Sequence, residues 1–150
     1  MTEPAALDLL VPYPVPTDKI ARTLLLAIRR LAAGGLSDAH AANILLGDLG
    51  MGYRRPLMFL RVLLGEISRV SQHQIAVAPC CCPRMTEGEA VFLSTINCAR
   101  DHPERARAAL ARVTGTLDCL PALSVAQALG DALDDIGHPL RLAQNCNSLL

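Results

Sequence analysis

Residues 17–35, TDKIARTLLLAIRRLAAGG, decide the fold class. Ile20, Leu24, Ala27, Ile28 and Leu31 recur on one stripe at helical spacing, Thr17 stands where an N-cap is wanted, and Gly34-Gly35 supplies the stop. A helix over residues 18–33 is expected. The same grammar repeats outward. Ser37 opens a second helix carrying Ala41, Ile44 and Leu45, and Gly47, Gly50 and Gly52 loosen the turn after it. Pro56 suits the first turn of a third, which runs through Leu57, Leu60, Leu63, Leu64 and Ile67 to the neighbourhood of Val70. Thr86 with Glu89 makes a capping box for a fourth helix, and Asp101 with Glu104 repeats it around Pro103 for a fifth. Ser124 caps a sixth, apolar at Val125, Ala128, Leu129, Ala132, Leu133 and Ile136 and closed by Gly137 and Pro139. The sequence therefore predicts an all-α fold, a single compact bundle of about six helices over 17–150, with antiparallel or cornered neighbours. Residues 1–16 precede it as a proline-rich extended arm, where Pro12, Pro14 and Pro16 alternate and remove backbone donors.

A chain of 150 residues suits one domain and has no room for a separate cofactor module. At that length a core buries roughly 70% of the unfolded surface and needs neither disulfide nor metal to hold it. Hydrophobic residues make up 51% of the chain, and 14 Lys plus Arg balance 14 Asp plus Glu. Zero net charge gives no field to attract nucleic acid or an anionic membrane, so neither is an expected partner. Aromatic residues amount to 3% with no Trp, which removes the platforms on which bases or sugars stack. Charge is nonetheless uneven: 54–112 carries nine arginines against five acids, and 113–150 one arginine against four aspartates. Such a dipole can steer a protein partner or a second copy of the chain, although a solvated surface explains it as well.

The apolar run at 24–28 stops at Arg29 and Arg30, far short of the roughly 18 residues a membrane span needs. The N-terminus lacks the charged start and apolar stretch of a secretory leader. A cytoplasmic location is the expectation, and there the six cysteines (Cys80, Cys81, Cys82, Cys98, Cys119, Cys146) are expected as thiols.

Periodicity vanishes over 75–85, Ile-Ala-Val-Ala-Pro-Cys-Cys-Cys-Pro-Arg-Met, which reads as an extended, buried connection bracketed by Pro79 and Pro83. If it is strand-like, Cys80 and Cys82 share a face and Cys81 opposes them. Fifteen residues separate Cys82 from Cys98, and His102 stands four positions further on, which gives three sulfurs and one imidazole, the donor set of a tetrahedral zinc site. Copper(I) is the other candidate ion, with Met85 near. Pro103 works against the helical relation of Cys98 and His102. Packing of the cysteines as small apolar residues competes with this reading, as does a reactive thiol at Cys81 beside Arg84 and the start of the fourth helix.

Tyr53-Arg54-Arg55-Pro56 after a glycine-containing turn has the outline of a helix-turn-helix, but the apolar run that follows fits a helix buried among its neighbours better. Arg54, Arg55 and Arg61, with Arg84, are candidate contacts for an anion or a partner, ion pairing with Asp48 and Glu66 being the favoured use of the first three. None of the four histidines sits in a nucleophile, phosphate-loop or zinc-protease motif.

The segments Gly-Tyr-Arg-Arg-Pro-Leu-Met (52–58) and Ala-Pro-Cys-Cys-Cys-Pro-Arg-Met-Thr (78–86) together resemble an uncharacterised bacterial family of sphingomonad-type alphaproteobacteria. The resemblance spans nearly the whole chain and implies a bacterial protein in which the Cys-Cys-Cys-Pro segment is a family feature. It implies no catalytic or binding residue. Two functions therefore stand: a small helical binding or regulatory module acting through protein–protein contacts and responsive at its thiols, or a zinc- or copper-binding protein centred on Cys80, Cys82, Cys98 and His102. An enzyme comes after both.

Overall fold

The computed structural model describes residues 10–142. Residues 1–9 of the expected arm, and the C-terminal stretch with Cys146, lie outside the described residues. The architecture is helical, with one two-stranded sheet. Strand β1 (Tyr13–Pro14) is followed by α1 (Lys19–Gly34), α2 (Ala39–Leu49), a 3-10 turn (Gly50–Tyr53) and α3 (Arg54–Val70). After a long connection come β2 (Arg84–Met85), α4 (Glu87–Cys98), α5 (Pro103–Thr114) and α6 (Leu120–Asp135). β1 pairs antiparallel with β2, Tyr13 opposite Met85 and Pro14 opposite Arg84, so the described part of the arm is strapped to the body.

Helix α3 packs most extensively on α6, α1 on α2, and α4 on α5, while α4 also reaches α1 and α6 and joins these pairs around one core. Leu24, Ile28, Leu60, Leu63, Leu93, Ile96, Leu110, Leu129 and Leu133 are fully enclosed there. The apolar stripes read from the sequence form this core. α3 is not covered on every side, however: Met58 and Val62 remain at the surface.

Several helix starts differ from expectation by the side chain that caps them. Asp18 rather than Thr17 accepts the Ala21 N–H at 3.0 Å. Asp38 rather than Ser37 accepts from His40 and Ala41 at 2.8 and 3.2 Å. In both places a carboxylate one residue nearer the helix competes successfully for the free N–H groups. Burial pushes the Asp38 carboxyl up, but the two N–H groups and the Arg30 guanidinium outweigh it and leave the pKa below 3.8. The Asp101/Glu104 box does not form. His102 occupies the N-cap without a side-chain bond, because Pro103 starts α5. α6 likewise begins before Ser124, at Leu120, with Pro121 in its first turn. The Thr86/Glu89 capping box is complete in both directions.

Candidate functional site

The connection over 75–85, expected as an extended and buried loop, is irregular over 75–79, turns at the cysteines and is mostly not buried before its end at Met85. Cys82 N–H donates to the Pro79 carbonyl at 3.0 Å, closing a turn whose central residues are Cys80 and Cys81. The alternation that would place Cys80 and Cys82 on one face is therefore absent. Cys81 is exposed and its two neighbours are half-buried; all three are free thiols. Of residues 75–83 only Ala78 is buried.

A single side chain holds this turn. On α1, Ala21, Leu25 and Arg29 lie at i, i+4 and i+8, and all three are buried, so helical register carries Arg29 into the interior with the apolar residues before it. Its side chain is 1% exposed and that of its partner Glu89 is fully buried. Nε donates to Glu89 Oε2 at 2.7 Å and Nη2 to Glu89 Oε1 at 3.2 Å. The remaining N–H groups reach the Cys82 carbonyl at 2.9 Å, the Arg84 carbonyl at 2.8 Å and, at the long distance of 3.5 Å, the Cys80 carbonyl. Five contacts match the five donors of a guanidinium. Glu89 Oε1 also accepts the Thr86 N–H at 2.9 Å, so the carboxylate that caps α4 is the same one that pairs Arg29. The Thr86 hydroxyl donates to the Ala76 carbonyl at 2.8 Å and accepts the Glu89 N–H at 3.1 Å. The connection is thus held to α1 and α4 at residues 76, 80, 82, 84 and 86 by one buried polar centre. Gly88 completes the fit: a Cβ there would stand 2.5 Å from Ile75 Cγ2.

Burying such a pair without full hydrogen bonding would be strongly unfavourable. Here the geometry satisfies it, and what it fixes is backbone. Arg84 extends the arrangement outward, its guanidinium donating to the Val11 and Pro12 carbonyls at 2.8 and 2.6 Å and tying down the arm. Beside the turn, α1 and the turn enclose an open cavity of about 610 Å3.

The four residues proposed as metal ligands are not brought together. Among the described residues no group of three or more His, Cys, Asp or Glu side chains is placed to hold a metal ion. Cys98 is buried at the end of α4 and is disulfide-bonded, contrary to the expectation of thiols throughout. The His102 N–H donates to the Cys98 carbonyl at 2.7 Å, a backbone bond at the end of α4. Cys119 is a buried thiol beside the Thr114 hydroxyl, 3.4 Å away, and the Thr116 carbonyl, 3.3 Å away. The candidate arginines also separate. Arg55 pairs with Asp135 at 3.2 Å and lies over the Phe59 ring, whereas Asp48 and Glu66, their expected partners, are engaged by Lys19 with Thr23 and by Arg69. Arg61 Nε is buried with no hydrogen-bond partner among the described residues, and Arg54 is exposed.

Arg29 is the residue that sequence reasoning missed. It reads as the charge that ends an apolar run, yet its spacing of four and eight from Leu25 and Ala21 was visible, as was a Glu89 suited to the interior end of a capping box.

A family profile matches residues 3–141, and the chain belongs to that family, one of unknown function (DUF6628). No curated protein and no solved structure matches the chain.

Proposed function

We propose that this member of a family of unknown function is a small helical binding or regulatory module acting through protein–protein contacts, with the Cys80-Cys81-Cys82 turn as its thiol-responsive contact. The observation that carries this reading is the Arg29 centre. A core alone is served as well or better by apolar residues than by a buried ion pair. This pair has its remaining donors on the carbonyls of Cys80 and Cys82 in the turn and of Arg84 just after it, which favours a purpose in fixing how the thiols are presented. Cys81 at the tip is exposed, as a thiol that meets a partner or an oxidant must be. Met51, Met58 and Val62, large apolar side chains left at the surface, supply contact area for a protein partner. The zinc or copper alternative finds no support in the placement of its four residues.

Maleimide labelling of the native protein, followed by peptide mass mapping, tests the reading. Cys81 is expected to label first and Cys119 only after denaturation. Native protection of all three turn thiols, lost on denaturation, would overturn it.

A further inference from the structure

The cavity beside the turn combines three kinds of wall. Cys80, Cys81 and Cys82 form one side, Leu26 and Pro83 contribute apolar surface, and Lys19 with Arg22 belong to the α1 side. Its charges are not equally available. Arg29 also lines the cavity, but its charge is met by Glu89 at 2.7 Å. Asp48 is engaged by the Thr23 hydroxyl at 2.6 Å and, more loosely, by Lys19 at 3.9 Å. Lys19 is 70% exposed, and Arg22 is exposed with no ion pair among the described residues. With Arg29 balanced by Glu89 and Asp48 offsetting one of the other two cations, the lining keeps a net positive charge, carried on the α1 side by Lys19 and Arg22, together with the three thiols. The volume, about 610 Å3, falls in the range of small-molecule sites.

We propose that this cavity takes a small disulfide bearing carboxylates, an inference that rests on the thiol-responsive reading above and names its reactant. A carboxylate pairs with the Arg22 guanidinium and the Lys19 ammonium, an aliphatic stem covers Leu26, and the S–S bond meets Cys81. The step is thiol–disulfide exchange. Cys81 loses its proton to solvent, and the thiolate attacks one ligand sulfur. A new S–S bond forms between Cys81 and that half as the ligand's own S–S bond breaks, and the other half leaves as a thiolate that takes up a proton. The Cys81 sulfur is oxidised and the departing half is reduced, so no further reactant is needed.

Two probes with the same reactive bond and opposite charge test this: the dianion dithiodiglycolate and the dication cystamine, with adducts read by intact mass and peptide mapping. Rates on the urea-denatured chain supply the intrinsic ratio. In the native protein the dianion should be favoured at Cys81 by about tenfold over that ratio, an advantage that shrinks in high salt. Lys19→Glu with Arg22→Glu should reverse the order, and Arg22→Gln should reduce it. Both positions are at the surface, and an unchanged circular dichroism spectrum confirms the fold of each variant. A native ratio equal to the denatured one, a ratio insensitive to these variants, or an adduct on Cys80 or Cys82 instead would overturn the proposal while leaving a responsive turn. No adduct on the native turn from either probe would overturn the proposal and the functional reading together.

Discussion

The contact of α3 with α6 and the joint of α1 with α4 bury their residues equally well by opposite means. The interior of the first is hydrocarbon: Leu60, Leu63, Leu129 and Leu133 are at most 1% exposed and offer nothing directional, the Arg55–Asp135 pair lying at the exposed edge. The second is centred on Arg29 and Glu89, whose atoms are committed to particular carbonyls and N–H groups. Burial of apolar area sets how firmly helices associate but tolerates repacking, whereas a charged fork fixes the path of the chain it grips. The cysteine turn lies on the side of the molecule that cannot repack freely.

The largest effect should come from breaking the polar joint. Arg29→Met leaves a buried carboxylate without its counter-charge and three carbonyls without donors, and urea unfolding should show a loss of about 3–5 kcal/mol. Adding Glu89→Leu removes the orphaned charge, so the double variant should be less destabilised than the sum of the two single ones, as a double-mutant cycle would show. In the hydrocarbon joint, Leu129→Ala should cost about 3 kcal/mol by the same assay and leave maleimide labelling at Cys81 unchanged, which separates stability from presentation of the thiol. Gly88→Ala should cost about 1–3 kcal/mol, since the new methyl must displace Ile75, and it should speed labelling of the turn.

The smallest effect belongs to pH. The folded-state pKa of Asp38 is depressed, so the stability it adds is present in full above its unfolded value and is lost as pH falls below 3.8 through the folded pKa. A thermal melt series in acid should show a shallower decline for Asp38→Asn than for the parent.

The helical class was legible because apolar spacing survives in each segment, as in the Ile20, Leu24, Ile28 and Leu31 stripe, and because Gly34, Gly115 and Gly137 fall at helix ends. Exact starts were not, since Thr17, Ser37 and Ser124 are good caps in isolation and lose only to neighbouring carboxylates or prolines. The cysteine run stands out in the sequence but its shape does not: the turn depends on the Pro79 carbonyl and on donors from Arg29, fifty-one residues from Cys80. No local pattern contains a contact of that range. The break between Cys98 and His102 was by contrast legible locally, since Pro103 starts α5 and leaves His102 at its cap.

Hydrogen exchange in Arg29→Lys tests the central claim most directly, because one ammonium keeps the charge and lacks the five-donor fork. Faster exchange at the Cys82 and Thr86 amides, with the amides of α3 and α6 unaltered, is the predicted result. Unchanged protection at those two amides, or a uniform loss across the whole chain, would contradict it.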